Sequence, residues 1–491
     1  MITRRAALGG GLALMASPAL LTQRAFAAEP GRPLPIPPQM DIDGGAGNLL
    51  TARAGQQEFL SGVKTGTLGY DLDYLGPTLR MKRGQTARLR LANQTPEPIT
   101  AHWHGAHVPG NMDGGPQLAF GPGGTWDAEL AVSNPAATLW YHSHVHGRTG
   151  NQVYRGLAGF LLIDDPARPD GLPGRYGVDD IPIVVQDRSF DRRGEFAYDI
   201  GGMTTMQGLR GSQILVNGAL EPVADVPRGL VRLRVLNGSN ARIYHFSFSD
   251  RRRFAQVATD AGLLAAPLWR DAITLAPAER AEIIVDLSQD SQPVRLVSAQ
   301  DGNAPMGGMM GNMMGGTTGR GGTFDVMTLQ PRADLRPTGT RLPAQLPAVP
   351  MELGAPVRTR DFRLNMQMGG MFGSMLRGAF GGSVMGINNQ GFDMGTINHE
   401  LRLGETELWR ISTDMMAHPF HVHGTSFQIV ARNGRPVSPE TEGRKDVVLV
   451  DGSAEILVRF DQTADAAAPF MYHCHILEHE DAGMMGQFTV S

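Results

Sequence analysis

Apolar and polar residues alternate along several short segments of this chain, and Gly, Asn or Pro residues flank each segment. Residues 87–91 (ARLRL) show the pattern near the start, and residues 231–236 (VRLRVL) repeat it in the middle of the chain. A period of two places alternate side chains on opposite faces of a β-strand. The pattern therefore predicts short strands that are joined by turns.

Three longer stretches share one order of elements: residues 76–95, 216–240 and 388–414. In each, a Gly or Asn turn leads into a strand, a Gly-bearing turn follows, and an alternating strand ends near an Asn or Asp. The unit recurs roughly every 150 residues, which predicts three copies of one β-sandwich module. The 63 Gly and 33 Pro residues, with only 7% aromatic residues, also favour turn-rich β structure.

Segments rich in Pro and charge, at residues 164–179 and 331–356, are the expected breaks between these modules. The predicted organisation is all-β, with three consecutive Greek-key sandwiches after a signal peptide. Its boundaries are residues 1–27 for the signal peptide, 28–168 for the first sandwich, 169–335 for the second, and 336–491 for the third.

The N-terminal residues predict export. Arg4 and Arg5 precede an apolar stretch over residues 8–21, and residues 25–27 (AFA) form a cleavage site, as in twin-arginine signal peptides. This stretch is too short to span a bilayer. After residue 27, 41 basic and 48 acidic residues leave a charge of −7, which favours neither nucleic acid nor an anionic membrane as a partner. We expect a periplasmic monomer without membrane insertion.

The only cysteine of the chain, Cys474, lies between His473 and His475. On a strand its side chain would face one side and both imidazoles the other, so one strand could serve two metal centres. His479 and Met484 follow at short spacing. Thiolate, imidazole and a distant thioether form the ligand set of a blue-copper site.

Histidines are concentrated in four clusters that hold ten of the 14 in the chain. Two imidazoles at positions i and i+2 of a strand point to the same side, so each pair could serve one metal cluster. The clustered residues are His102, His104, His142, His144, His418, His421, His423, His473, His475 and His479. The other four, His107, His146, His245 and His399, are expected to make loop or core hydrogen bonds.

The motifs HWHG (102–105), HSH (142–144), HPFHVH (418–423) and HCHILEHEDAGM (473–484) resemble those of the multicopper oxidases along essentially the whole mature chain. The resemblance implies three cupredoxin domains and four copper ions. It assigns a type 1 ion to His418, Cys474, His479 and Met484, and a type 2 ion to His102 and His421. It assigns one type 3 ion to His104, His142 and His475, and the other to His144, His423 and His473.

The resemblance also implies a reaction, in which electrons pass one at a time from the type 1 site through Cys474 to a cluster that reduces O2 to water with four electrons. Asp113 and Glu480 match acids that relay protons in exported bacterial members. From the residues alone, a turn-forming Asp and a solvated Glu are the favoured alternatives, and the resemblance shifts the balance to proton relays.

Methionine indicates the electron donor. Ten of 25 Met residues lie in two windows, residues 306–314 and 366–385, interleaved with Gly rather than with branched apolar residues. Flexible thioethers prefer Cu(I). The windows resemble the Met-rich insert of the periplasmic cuprous oxidases, in which Met and Asp hold a substrate copper. Asp414, Met416 and Met366 match three of those ligands, whereas Met371 stands where that group has an Asp.

The expected function is therefore an exported Cu(I) oxidase that uses O2 and serves copper tolerance. One alternative is a laccase that oxidises phenols or aromatic amines, with the Met loops as a lid. Another is a non-enzymatic structural or division-associated protein, as in exported relatives that have lost copper ligands. A copper nitrite reductase would not need the His-Cys-His bridge. The expected partners are Cu(I) and O2, with phenols as alternative donors, and the twin-arginine export machinery.

Overall fold

The computed structural model describes residues 31–45, 47–165, 171–301, 322–351, 353–366, 385–413 and 415–491. The predicted signal peptide, the first Met window, the interior of the second and Asp414 lie outside the described residues. Within these ranges the chain forms 31 strands in six sheets, and each third of the chain contributes two sheets.

The first sandwich pairs the sheet β1-β4-β8-β7 with the sheet β3-β2-β5-β6. Its strands are β1 (Gln39–Asp41), β2 (Leu49–Leu60), β3 (Val63–Tyr70), β4 (Thr78–Lys82), β5 (Thr86–Gln94), β6 (Thr125–Ala131), β7 (Ala137–His142) and β8 (Ala158–Asp164). Two 3-10 turns (Gly110–Met112 and Pro116–Leu118) and helix α1 (Thr149–Arg155) complete it. In β5 the apolar residues of the ARLRL segment are buried and both Arg residues are exposed, which confirms the predicted alternation.

The second sandwich pairs the sheet β11-β10-β9-β13-β18-β15-β16 with the sheet β12-β20-β19-β14-β17. Its elements are β9 (Asp180–Arg188), α2 (Gly202–Gln207), β10 (Gln213–Val216), β11 (Ala219–Leu220), β12 (Val223–Pro227), β13 (Leu230–Asn237), β14 (Tyr244–Phe248), β15 (Phe254–Thr259), β16 (Gly262–Arg270), β17 (Ala272–Leu275), β18 (Arg280–Asp286), β19 (Val294–Ala299) and β20 (Thr323–Arg332).

Strand β13 departs from the simple alternating pattern, because its polar face is buried as well. Arg232 pairs with Glu282, and Arg234 pairs with Asp180 across 2.7 Å. The Arg234 guanidinium also donates to Thr138 Oγ1 of β7 at 2.8 Å. The charged face of β13 therefore lies against the first sandwich rather than in solvent.

The third sandwich pairs the sheet β22-β21-β24-β29-β26-β27 with the sheet β23-β31-β30-β25-β28. Its elements are β21 (Arg358–Met366), β22 (Met385–Ile387), β23 (His399–Leu401), β24 (Thr406–Thr413), β25 (His418–Val422), β26 (Phe427–Arg432), β27 (Arg435–Pro436), α3 (Pro439–Glu442), β28 (Val447–Val450), β29 (Ser453–Arg459), β30 (Phe470–Cys474), α4 (Leu477–Asp481) and β31 (Met485–Val490).

Three large apolar cores follow the three pairs of sheets. They draw on residues 42–163, on Leu34 with residues 181–329, and on residues 362–490 with Ala241. This all-β arrangement confirms the predicted fold class, whereas the exact boundaries at residues 168 and 335 stay predictions. Among the described residues no helix is both long and apolar enough to cross a membrane.

Candidate metal centres

Cys474, His418 and His479 come together in the core of the third sandwich, and we call them the Cys474 centre. Their ligand atoms are close: His418 Nδ1 lies 3.3 Å from Cys474 Sγ and 3.2 Å from His479 Nδ1, and Cys474 Sγ lies 3.6 Å from His479 Nδ1. An ion with bonds of about 2.0 Å to nitrogen and about 2.3 Å to sulfur places its ligand atoms roughly 3 to 4 Å apart. The spacing therefore fits one ion.

Three elements bring these side chains together. His418 begins β25, Cys474 ends β30 beside it in the same sheet, and His479 lies on α4 directly after that strand. Met484 is fully buried, and its backbone bonds both Cys474 and His479, at 3.1 and 2.9 Å. The chain therefore returns to the centre at the position predicted for the axial Met.

Burial sets the protonation states of the Cys474 centre. It lowers the pKa of His479 to about 4 and that of His418 well below its usual range, so both imidazoles are neutral at pH 7. Burial raises the pKa of the Cys474 thiol. A thiolate at this depth needs a nearby cation, and a soft metal ion supplies one.

The other eight clustered histidines are fully or almost fully buried between the first and third sandwiches, and we call them the histidine cluster. They are His102, His104, His142, His144, His421, His423, His473 and His475. The sequence pattern predicted that these histidines lie on strands, and this is wrong for some of them. Residues 102–104 form a loop with a single bridge from His102 to His142. His475 follows the end of β30.

Two of the predicted ligand groups are compact. His102 Nε2 lies 3.4 Å from His421 Nε2, which is the predicted type 2 pair. His473 Nε2 lies 3.1 Å from His423 Nε2 and 3.3 Å from His144 Nε2, which is one predicted type 3 trio. Each group joins the first sandwich to the third.

The other predicted trio is His104, His142 and His475. Its ring centroids are 5.1 to 5.6 Å apart, compared with 5.0 to 5.2 Å in the first trio. His142 Nε2, His104 Nδ1 and both ring nitrogens of His475 are buried without a hydrogen-bond partner among the described residues. Because buried polar atoms are normally satisfied, these nitrogens fit a missing ion.

Hydrogen bonds select which nitrogen most of these imidazoles present. In five of them Nδ1–H donates to an oxygen 2.7 to 3.0 Å away, which leaves Nε2 as the lone-pair atom. The five are His102, His142, His421, His423 and His473. Burial lowers the pKa of His473 to about 3, so its imidazole is neutral at neutral pH, with a single proton.

Asp446 supports two of these histidines, a role that the sequence analysis missed. Its Oδ1 accepts from His104 Nε2–H at 3.1 Å, and its carbonyl accepts from His421 Nδ1–H at 2.7 Å. His104 is therefore left to present Nδ1, unlike the five histidines above. Arg280 of the second sandwich holds both Asp446 carboxylate oxygens at 2.6 Å. Gly105 must be glycine, because its φ is +86° and a Cβ there would overlap Asp446 Oδ2.

The two predicted proton-relay acids lie at different edges of the histidine cluster. Asp113 Oδ2 accepts from His423 Nδ1–H at 2.7 Å. Glu480 Oε1 lies 3.4 Å from His144 Nδ1, and Glu480 Oε2 lies 3.2 Å from His473 Nδ1. Burial, and then the nearby Asp481, raises the pKa of Glu480 well above its usual range. Glu480 is buried rather than solvated, whereas Asp113 both closes the 3-10 turn Gly110–Met112 and directs its carboxylate to the histidine cluster.

One side chain and its neighbours connect the two centres. Cys474 Sγ faces the Cys474 centre, while His473 and His475 belong to the histidine cluster. The predicted division of faces is therefore present even though the strand ends at Cys474. His473 Nδ1–H also donates to the Cys474 carbonyl oxygen at 3.0 Å, which adds a hydrogen bond to the covalent path.

Of the predicted substrate-copper ligands, Met416 is buried in the third core and Met366 packs against that core, while Asp414 lies outside the described residues. A cleft of about 200 Å³ is lined by Met366, Thr413 and Met415 together with Arg363, Leu364, Asn365 and Asn389. Met415, which the sequence analysis did not single out, is 58% exposed there.

The remaining histidines lie away from both centres. His245 bonds Thr274 at 2.9 Å, His146 packs edge-on against Phe392, and His399 stacks on Tyr472. The backbone N–H of His107 donates to Asn134 at 2.8 Å.

Comparisons with known proteins agree with this arrangement. Two family profiles described as multicopper oxidase match residues 51–168 and 363–491. The cell division protein FtsP of Edwardsiella tarda is 36% identical over 490 residues, 99% of this chain and 98% of that protein.

Two solved structures are also similar. A bacterial laccase-like multi-copper oxidase, CueO from Ochrobactrum sp., with oxidase activity towards lignin model compounds and lignosulfonate, is 38% identical with a TM-score of 0.84, covering 94% of this chain and all of that one. A Campylobacter jejuni multicopper oxidase described as a metallo-oxidase is 25% identical with a TM-score of 0.80, covering 94% of this chain and 95% of that one. With three cupredoxin sandwiches and buried histidine groups, the chain belongs to the multicopper oxidase family.

Proposed function

We propose that this chain is an exported copper-dependent oxidase that takes electrons from Cu(I) at the Cys474 centre and reduces O2 to water at the histidine cluster. The observation that carries the proposal is the pair of buried ligand groups, the Cys474 centre and the histidine cluster, joined through Cys474. When bound, copper ions supply one-electron transfer at the first centre and four-electron reduction of dioxygen at the second. The twin-arginine signal and the role in copper tolerance are part of this proposal.

The chain's own residues supply orientation and protons. Hydrogen bonds fix the imidazole tautomers, and Arg280 holds Asp446 in place behind His104 and His421. Burial raises the pKa of Glu480 and so favours its protonated form, which can donate a proton at the edge formed by His144 and His473. Asp113 accepts from His423 at another edge.

Thioethers favour Cu(I) as the donor. Met366 and Met415 line the cleft beside the segment that leads into His418, and Met416 lies on that segment. Soft sulfur ligands select Cu(I) over harder ions, and a cleft of this size suits an ion better than a lignin-like aromatic. The description of the Campylobacter jejuni relative as a metallo-oxidase supports the same choice.

The test compares donors on copper-loaded protein. Four coppers per chain, blue absorbance and O2 uptake with Cu(I) are expected. The double variant Met366→Ala/Met416→Ala should raise KM for Cu(I) at least about tenfold, the lower end of what a lost supporting group costs a metal site. Phenol oxidation should stay unchanged. Met394→Ala, which changes a 43%-exposed Met outside the cleft, is the matched control. An equal loss with both donors would contradict Cu(I) as the substrate.

Two other functions have an observation behind them. Oxidation of phenols is favoured by the Ochrobactrum relative, which acts on lignin model compounds. A non-enzymatic role is favoured by the relatives named cell division protein FtsP. Protein that takes up no copper and shows no blue absorbance after reconstitution would select this second alternative.

A further inference from the structure

The two imidazoles of the Cys474 centre have different surroundings on their outer sides. Both turn Nδ1 inward, so Nε2 is the atom on the outer edge of each ring. His479 Nε2–H donates to the carbonyl oxygen of Met206 at 3.2 Å. His418 Nε2 is buried without a hydrogen-bond partner among the described residues.

Met206 belongs to α2, which comes from the second sandwich and lies over the outer edge of His479. No residue of α2 is fully buried, and Met203 is 69% exposed. The Met206 side chain packs against the core of the third sandwich. The helix is therefore a thin outer layer over the centre.

One carboxylate anchors both ends of this layer. Glu478, which directly precedes His479, accepts from Tyr198 before α2 at 3.3 Å and from the Leu209 N–H after it at 2.9 Å. Asn240 donates to the same carboxylate at 2.7 Å. The hydrogen bonds from Tyr198 and Leu209 hold the two ends of α2 against α4, the helix that carries His479, and the bond from Asn240 fixes the carboxylate itself.

Gly208 allows the close approach at the end of α2. Its φ and ψ are +72° and 153°, a combination that residues other than glycine avoid. A Cβ there would overlap Ala241 and lie 2.7 Å from Ile476 Cγ2. At the other end Gly201 has φ −91°, and a Cβ would meet nothing within 4 Å.

We propose that α2 is a specificity-determining cap: it closes the His479 edge to aromatic donors and leaves electrons to enter on the side of His418, the ligand that follows Met415 and Met416 along the chain. An aromatic donor must bring its ring against a ligand imidazole, and at His479 this position is filled by the α2 backbone. A Cu(I) ion needs only soft ligands near His418. The inference rests on the proposed function, because it explains why the same centre would accept Cu(I) in preference to a phenol.

The test uses a matched pair of glycine substitutions at the two ends of the cap. Gly208→Ala should displace α2 by overlap with Ala241 and Ile476, whereas Gly201→Ala should not. The first readout needs no copper: carbethoxylation of His479 by diethyl pyrocarbonate in copper-free protein, followed by mass spectrometry. We expect the rate at His479 to rise roughly tenfold in Gly208→Ala and to stay at the wild-type value in Gly201→Ala.

The second readout is donor preference after copper loading. The kcat/KM for 2,6-dimethoxyphenol should rise by a similar factor in Gly208→Ala while that for Cu(I) is retained. If Gly208→Ala fails to fold, Tyr198→Phe loosens the same anchor without adding bulk and should move both readouts in the same direction. Unchanged His479 reactivity and unchanged donor preference in the folded variant would overturn the cap.

The two proposals fail in different ways. Wild-type protein that oxidises phenol but no Cu(I), with His479 reactive from the start, overturns both. Cu(I) oxidation that persists while donor preference ignores Gly208→Ala overturns the cap alone. Protected His479 that becomes reactive in Gly208→Ala, in a protein without Cu(I) oxidation, supports the cap and overturns the proposed function.

Discussion

At the scale of single residues, the buried charges behind the histidine cluster make the largest expected contribution to folding stability. Arg280, Asp446 and Asp260 are all fully buried, and Asp260 Oδ1 accepts from the Arg280 backbone N–H at 2.7 Å. Removing one member of a buried pair leaves the other charge without compensation, which is far more costly than loss of an exposed pair.

Asp446→Asn should therefore destabilise the copper-free protein by about 3 to 5 kcal/mol, measured by urea unfolding. The amide cannot balance Arg280, and in either orientation its NH2 group faces an N–H donor of Arg280 or His104 where the carboxylate accepted. Asp127→Asn breaks an exposed pair with Arg90 and should change stability little. Equal effects of the two substitutions would contradict the role of burial.

His107 gives a pH dependence outside the proposed ligand set. Burial, and then Arg444, lowers its pKa to about 3, so the folded state keeps this ring neutral where the unfolded chain, near its ordinary pKa of 6.5, gains a proton. Stability is therefore complete above pH 6.5 and is lost as pH falls towards 3, by at most about 1.4 kcal/mol per pH unit. His107→Gln should remove this part of the acid sensitivity of copper-free protein. If the free energy of unfolding changes with pH in parallel for the variant and the wild type, His107 does not contribute to the acid sensitivity.

At the scale of elements, the strand-to-helix step from β30 to α4 places three different functions within a few residues. Cys474 ends the strand, His479 returns to the same centre, and Glu480 faces the histidine cluster. A continuous strand would have sent these side chains apart, so the short helix is what lets one segment serve both centres.

Glu480→Gln should leave stability and copper content unchanged, because glutamine resembles the protonated acid in shape and charge. It should lower O2 turnover by about 100-fold, the lower end of what general acid catalysis contributes, without slowing reduction of the Cys474 centre by Cu(I). Stopped-flow absorbance separates the two steps. Wild-type turnover in Glu480→Gln would remove this residue from the proton path. Asp113→Asn should behave differently and also reduce copper content, since Asp113 orients His423.

Sequence patterns predicted these elements unevenly. The alternation in β5 was confirmed because one face of that strand meets solvent, whereas β13 buries its Arg residues against the first sandwich. The His-x-His spacing identified histidines that the structure brings together, but it placed residues 102–104 on a strand, where the structure has a loop. Periodicity indicates which side chains share a face of a strand, but a loop can also direct two nearby side chains to one site.

At the scale of the whole molecule, the second sandwich contributes no histidine to either centre, yet it contacts both. Arg280 supports the histidine cluster, and Met206 covers His479. These residues could not be predicted from the sequence, because their roles depend on contacts between sandwiches that leave no fixed spacing along the chain. The local ligand motifs could be predicted because each carries its spacing within a few residues.

Copper should hold the outer sandwiches together, since the ligand groups of the histidine cluster take residues from both. Each ion stabilises the folded state by about 4 kcal/mol when free copper exceeds its Kd about 1,000-fold. Calorimetry should therefore show a higher Tm after loading, and a chelator should reverse it. The Cys474→Ser variant should lose only the part of this stabilisation that comes from the Cys474 centre, which lies wholly within the third sandwich. A Tm that does not change with copper would contradict ligation across the interface.

The burial of Cys474 has a consequence for the lifetime of the copper-free protein. Its sulfur has no exposed surface, and its pKa is raised by burial, so little of it is the thiolate that reacts with oxidants or with other thiols. The folded chain can therefore persist in an oxidising compartment without cross-linking to a second copy. Only an agent that passes between the core side chains can reach this sulfur, and a small metal ion is such an agent. Burial thus protects the thiol from oxidation until a metal ion binds.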